Sequence, residues 1–250
     1  MPARMIISAA LETTQSLEGR VVLVTGASSG QGHAFALGVA RRGAKVFAVA
    51  RREDRLRDLV ARIGEAGGDA AYHVTDVRSV PAVYDLVDVV LARYRHIDVL
   101  INAAGVGYRA PLADMKRVQI AETLETDLAG AIYLTQAALP SLIKSAPSDI
   151  VNVASIAGLE GFPEGSVYCA AKHGLVGFTR ALAAEVKPEG VRVTALCSGS
   201  VDTEFFDRFR PTTEKEKRLR TDDVLEALLG ILTSPAHVLH GEVVLRPRVV

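Results

Sequence analysis

A chain of 250 residues can form one large α/β domain or two small ones, and 49% apolar residues suffice for a large buried core. Lysine plus arginine and aspartate plus glutamate stand at 29 each, so the formal net charge is zero and gives no electrostatic reason to expect nucleic acid or an acidic membrane surface as a partner. The two cysteines, Cys169 and Cys197, form neither a CxxC pair nor a disulfide framework, which points to a reducing, cytoplasmic setting, and no apolar run approaches a membrane span.

In chain order, Arg4 and the apolar stretch 5–11 faintly resemble a signal peptide, but residues 12–18 are polar where a small-residue cleavage site is needed. Residues 1–18 are therefore expected to be a variable N-terminal extension. From there one rhythm runs to the end, short β-branched runs alternating with longer stretches of helical periodicity. The pattern predicts strands at Val21–Thr25, Lys45–Ala50, Ala70–Val74, Val99–Asn102, Asp149–Ala154, Val191–Leu196 and Glu242–Leu245. It predicts helices at Gly32–Arg42, Val80–Tyr94, Met115–Ser145 (two helices, or one bent) and Tyr168–Val186. Continuous apolar strands bracketed by helices indicate a mainly parallel seven-stranded sheet covered on both faces. With no linker, repeat or low-complexity tract, residues 19–250 are expected to be a single domain.

Two patterns carry chemistry. The first is the turn Thr25-Gly26-Ala27-Ser28-Ser29-Gly30-Gln31-Gly32, between the first strand and a helix. A chain that leaves a strand for a helix so quickly needs glycine-like freedom. A pyrophosphate that approaches closely needs positions without Cβ, and the helix N-terminus offers it N–H donors. An ordinary tight turn is the plainer reading, but the position favours a dinucleotide. At the end of the second strand, Val49-Ala50-Arg51-Arg52 stands where an NAD site would carry an acid for the ribose 2′-hydroxyl. Two guanidinium groups suit a 2′-phosphate instead, Arg51 being the better placed, so NADP(H) is expected over NAD(H). A solvated basic helix start before Glu53 and Asp54 is the alternative.

The second pattern is Ser155, Tyr168 and Lys172. Tyr168 and Lys172 lie four apart on one helix face, where an ammonium favours the phenolate and brings the phenol toward acid–base use. Ser155 follows the fifth strand and can hold a substrate oxygen. A surface pair would explain YxxxK alone; the rest of the constellation argues against it.

Together these motifs resemble the short-chain dehydrogenase/reductase family, from about Gly19 to the C-terminus. TGASSGQG is similar to the family's TGxxxGxG turn, with Gly26, Ser28, Ser29, Gly30, Gln31 and Gly32 toward the cofactor. Asp76 and Val77 resemble the pair that contacts adenine, and Asn102-Ala103-Ala104-Gly105 resembles NNAG. Ser155, Tyr168 and Lys172 match the catalytic serine, tyrosine and lysine, including the thirteen-residue step from serine to tyrosine. Ser198-Gly199-Ser200-Val201-Asp202-Thr203 resembles the loop that receives the nicotinamide, with Val201 and Thr203 near the carboxamide, and residues 203–220 correspond to a substrate lid. The resemblance implies a single-domain doubly wound Rossmann fold, hydride transfer between NADP(H) and a ketone or secondary alcohol with Tyr168 as acid–base, a small-molecule substrate and a homo-oligomer, dimer or tetramer. A non-redox enzyme on the same scaffold, such as an epimerase, dehydratase or cyclase, and a non-catalytic NADP(H)-binding protein are the competing readings.

Four positions depart from the family pattern. Asp127 replaces an asparagine whose backbone is thought to hold a water near the lysine, and is expected to alter pH dependence while keeping activity. Ala103 replaces the second asparagine of NNAG, Ser198 the proline of a PG pair, and Gln31 an isoleucine. Phe205, Phe206 and Phe209 either line an apolar substrate pocket or anchor a short helix. Arg208, Arg210, Tyr108 and Arg109 either read substrate or are solvated. The run 214–220 is expected to be a solvated helix face, Cys169 and Cys197 to be apolar filler, and His237 with His240 not to bind metal.

Overall fold

The structure, a computed structural model, describes residues 15–209 and 214–248, apart from the side chains of Asp207 and Arg208. The signal-like stretch 5–11, Arg210 and the side chain of Arg208 lie outside the described residues. Seven strands and eight α-helices follow in the order β1 (Val21–Thr25), α1 (Gly30–Ala40), β2 (Lys45–Ala50), α2 (Glu53–Glu65), β3 (Ala70–Val74), α3 (Val80–Tyr94), β4 (Val99–Asn102), α4 (Arg117–Leu124), α5 (Gly130–Lys144), β5 (Ser148–Val153), α6 (Ser166–Val186), β6 (Val191–Ser198), α7 (Phe206–Phe209), α8 (Thr221–Thr233) and β7 (Glu242–Leu245) among the described residues.

The apolar character of β1 shows why the sheet is buried on both sides. Val22 and Val24 pack with Phe35, Val39 and Leu228, while Val21 and Leu23 pack with Leu86, Val90 and Leu134. Alternate side chains thus serve two cores, one under α1 and α8 and the other under α3, α5 and α6. The sheet runs β3-β2-β1-β4-β5-β6-β7, and every neighbouring pair is parallel. After β3 the chain crosses back to place β4 beside β1, so the connections on either side of β1 and β4 diverge. In an open sheet of this kind that divergence leaves a crevice beyond the carboxyl ends of the strands.

The predicted strands occur with small shifts. β5 is displaced by one residue, and β6 reaches Ser198 because Cys197 and Ser198 pair with Val244 and Leu245 of β7. Of the two alternatives for 115–145 the structure has two helices, α4 and α5, joined by a π-helical turn at Glu125–Ala129. Helices α2 and α8 were not predicted. The run 214–220 is not a helix face: a single 3₁₀ turn at Lys215–Lys217 is followed by a backbone bridge between Leu219 and Val201. Two backbone bonds, Leu219 N–H to Ser200 O and Asp202 N–H to Leu219 O, draw this segment onto the loop after β6, a tertiary pairing that charge alternation cannot reveal.

Candidate active site

The crevice is a cleft of about 830 Å³ whose floor is the strand ends. Its first wall is the glycine turn. Gly26 has φ of +66°, and a Cβ there would lie 2.5 Å from the carbonyl oxygen of Ala103. A Cβ at Gly32 would lie 2.5 Å from the carbonyl oxygen of Gly26. The turn is therefore closed against its own backbone and against the loop after β4, and only glycine fits. Thr25 fastens that loop, its hydroxyl accepting from the N–H groups of Ala103 and Ala104 at 3.0 Å each.

The start of α1 suits an anionic ligand. Ser29, its N-cap, makes no side-chain cap bond, so the first N–H groups of the helix are left for another acceptor. Gln31 Oε1 is buried without a hydrogen-bond partner among the described residues, while its amide nitrogen donates to Ser198 Oγ at 3.4 Å. Uncapped donors, a closely approached glycine turn and an unsatisfied amide in one cleft fit a dinucleotide with its pyrophosphate on the helix N-terminus.

Across the cleft, Ser155 follows β5 as the N-cap of a 3₁₀ turn, and α6 presents Tyr168 and Lys172 one turn apart on its buried face. Lys172 Nζ donates to Val153 O at 3.0 Å and lies 3.1 Å from Asp127 Oδ2. Asp127 sits on the π-helical turn, and its Oδ1 accepts from the N–H of Val106 at 2.7 Å. Asp127 and Lys172 are 1% and 4% exposed, so this is an ion pair removed from water. Burial raises the Asp127 carboxyl above the usual carboxylate range even against Lys172. Burial draws Lys172 down, but Asp127 and Tyr168 outweigh it and hold the ammonium above its ordinary range. Burial likewise raises the Tyr168 phenol; Lys172 and Ser155 pull it down, and Asp127 pushes it up.

At the end of β2 both arginines reach the cleft. Arg52 donates from Nε and Nη2 to Ser28 Oγ at 3.1 and 2.9 Å, and from Nη2 to Ser29 Oγ at 2.6 Å. Arg51 pairs at 3.5 Å with Glu122, which also accepts from Tyr108 Oη. Arg52, and not Arg51, is the guanidinium joined to the glycine turn. Asp76, beyond β3, is held below the usual carboxylate range by hydrogen bonds from Arg78.

The far end of the cleft is aromatic. The Tyr168 ring lies 4.9 Å from Phe209 and 5.6 Å from Phe205, and Phe162 stacks edge-on against Phe209 at 6.0 Å. The phenylalanines therefore line the cleft around Tyr168 and anchor α7 at once. Arg109 lines the same end, paired with Glu164 at 3.1 Å.

All the sequence-predicted site residues line this cleft except Asn102. Its side chain turns into the interior, donating to Thr135 Oγ1 at 3.0 Å and Asn152 Oδ1 at 2.9 Å. It ties β4 to β5 and α5. Sequence reasoning missed Thr25, Phe162 and Glu204; the first could have been sought as a hydroxyl ending a buried strand, the other two carried no local signal. Cys169 and Cys197 are both buried and free, and burial pushes the Cys197 thiol up to about 11. Among the described residues no cluster of three metal-ligating side chains exists, His240 sits 2.8 Å from Ser234 Oγ, and no helix is long and apolar enough to cross a membrane.

This geometry has relatives. The family model described as short chain dehydrogenase matches residues 20–214. A putative ketoacyl reductase from Streptomyces coelicolor is 38% identical over 231 residues, covering 90% of this chain and 87% of its own length. An uncharacterised oxidoreductase from Staphylococcus epidermidis is 32% identical over 233 residues, covering 91% of this chain and 97% of its own. The X-ray structure of an alcohol dehydrogenase from the archaeon Thermococcus sibiricus, complexed with 5-hydroxy-NADP, superposes with a TM-score of 0.86 at 31% identity, covering 92% of this chain and 97% of that one. The chain belongs to the short-chain dehydrogenase family, whose members are oxidoreductases that use a nicotinamide dinucleotide.

Proposed function

We propose that this protein reduces a ketone with NADPH, or oxidises the matching secondary alcohol with NADP⁺, with Tyr168 as the acid–base group. The observation that carries the reading is the meeting of Ser155, Tyr168 and Lys172 in one cleft with the glycine turn and the cationic end of β2. Bound NADPH supplies the hydride for the carbonyl carbon. The Ser155 hydroxyl donates to the substrate oxygen and orients it. Tyr168 Oη gives its proton to that oxygen as charge develops there, and the Lys172 cation stabilises the phenolate left behind. Asp127 and the carbonyl of Val153 hold Nζ in place, so the electrostatics need no rearrangement during the step. The N–H groups of α1, with Ser28, Ser29 and Gly30, hold the pyrophosphate, and Arg52 and Arg51 take the 2′-phosphate. Asp76 and Val77 flank the adenine, while Val201 and Thr203 receive the nicotinamide.

The Thermococcus relative's complex with 5-hydroxy-NADP supports the phosphorylated cofactor, and the ketoacyl reductase name of the Streptomyces relative supports a carbonyl substrate. On this reading residues 19–250 form one catalytic unit with residues 203–220 as its lid. Phe162, Phe205 and Phe209 favour an apolar substituent on the substrate. The enzyme works in the cytoplasm as a homo-oligomer assembled through α4, α5 and α6.

The test is NADPH oxidation by the purified protein over a panel of ketones, diketones and hydroxy-ketones. Turnover should depend on NADPH rather than NADH, and Tyr168→Phe should lower kcat by about 10²-fold or more. Saturable NADPH binding without turnover, or product formed with no net NADPH consumption, overturns the reductase reading.

A further inference from the structure

Glu204 is an acid standing at the mouth of a site made for anions. It follows Thr203 on the loop between β6 and α7. Thr203 packs on the start of α1, where a Cβ at Gly30 would fall 3.3 Å from its Cβ and Cγ2. The Glu204 carboxylate accepts from Arg55 Nη1 through both oxygens at 2.7 Å and from Arg52 Nη1 at 3.3 Å. Arg52 spends its other nitrogens on the hydroxyls of Ser28 and Ser29. One guanidinium thus joins the glycine turn to the loop. One residue beyond Glu204, the Phe205 ring lies 5.6 Å from Tyr168.

We propose that Glu204 is a specificity-determining residue for the cofactor: it occupies Arg52 and Arg55 as an internal anion, and the 2′-phosphate of NADP(H) competes with it for them. This competition rests on the NADP(H) reading above. A 2′-phosphate brings up to two negative charges and three acceptor oxygens to guanidinium donors that the single carboxylate now uses. A 2′-hydroxyl brings no charge and only one neutral acceptor oxygen, too little to displace the Glu204 carboxylate. Binding of the phosphorylated cofactor therefore has to break an ion pair that binding of the unphosphorylated one leaves intact. Glu204 is half exposed, with its side chain 50% accessible, which places the contact among exposed pairs and makes the effect one of affinity rather than of folding.

The experiment is calorimetric titration of NADP⁺ and of NAD⁺ into the wild-type protein and into Glu204→Gln, which keeps the shape of the side chain and removes its charge. The expected result is tighter NADP⁺ binding by about two- to fivefold in Glu204→Gln, the upper range of an exposed ion pair, with NAD⁺ binding unchanged within about 1.5-fold. Unchanged NADP⁺ affinity in a variant whose wild-type parent prefers NADP⁺ overturns the competition alone. Equal weakening of both cofactors also overturns it, since Glu204 would then be a clasp over the bound dinucleotide. A wild type and a variant that both bind NAD⁺ as tightly as NADP⁺ overturn the competition together with the NADP(H) reading.

Discussion

The Asp127 carboxylate meets Lys172 Nζ at 3.1 Å with both groups out of water, and both charges act on Tyr168. Burial is the main reason the phenol stays high; Lys172 draws it down, and the Asp127 carboxylate opposes that and pushes it up. Asp127→Asn keeps an acceptor for the Val106 N–H but removes the negative charge, so the phenol falls. Alcohol oxidation needs the phenolate, and the acidic limb of its kcat/KM profile should move to lower pH in Asp127→Asn. A limb that stays where it was would show that Tyr168 does not feel Asp127. The same pair is linked to stability. Lys172 is raised in the fold, so its contribution is full below the ordinary lysine pKa and is lost as pH climbs through the raised value. Denaturant midpoints between neutral and strongly alkaline pH should therefore fall in the wild type, and more shallowly in Asp127→Asn. The substitution was legible in the sequence; the closed ion pair was not, because it depends on a π-helical turn placing residue 127 against α6.

At the scale of elements, the glycine turn shows local sequence and tertiary packing agreeing. Gly26 is in the left-handed region, and a Cβ there would also enter the carbonyl of Ala103 from β4's loop. Gly26→Ala should destabilise the protein by about 3 kcal/mol, combining backbone strain with a collision against main chain that has no rotamer to escape by. Chemical denaturation measures this, and a loss below about 0.5 kcal/mol would mean the turn relaxes freely. The strands were readable because continuous β-branched runs between helices have few other solutions. The break within 115–145 was expected, but the π turn that makes it was not, since periodicity hardly registers one extra residue. Nor was α8: it ends the chain's last crossover, and its buried leucines fill space over α1 that only the assembled sheet defines.

For the whole molecule, the proposed cofactor bridges the glycine turn, β2, β4 and α6, so it should stabilise the fold globally. NADP⁺ at about one hundred times its dissociation constant should add about 2.7 kcal/mol, or roughly 5–10 °C in Tm for a protein of this size. Thermal unfolding with NADP⁺ and with NAD⁺ at the same concentration checks it, and the NAD⁺ shift should be smaller. An absent shift with either would count against a dinucleotide in the cleft. Below the cleft, polar groups hold distant segments together. Asp149 accepts from Arg192 at 2.7 Å and from Arg20 at 3.0 Å, and Arg192 also donates to the carbonyls of Ser234, Pro235 and Val238. These are long-range choices among many arginines and carboxylates, and nothing in their local sequence singles them out.

The sequence by itself determined the parallel α/β architecture, the glycine turn and the Ser155, Tyr168, Lys172 constellation. Each of these follows from hydrophobic period, backbone freedom or fixed spacing within a few residues. Tertiary structure alone decided which charges meet. It paired Asp127 with Lys172, gave Arg52 rather than Arg51 to Ser28 and Ser29, turned Asn102 away from the cleft, and brought Glu204 to Arg55. The reason is physical: secondary structure follows from local propensity and period, whereas an ion pair or a buried hydrogen bond depends on distances between segments that only the closed fold sets.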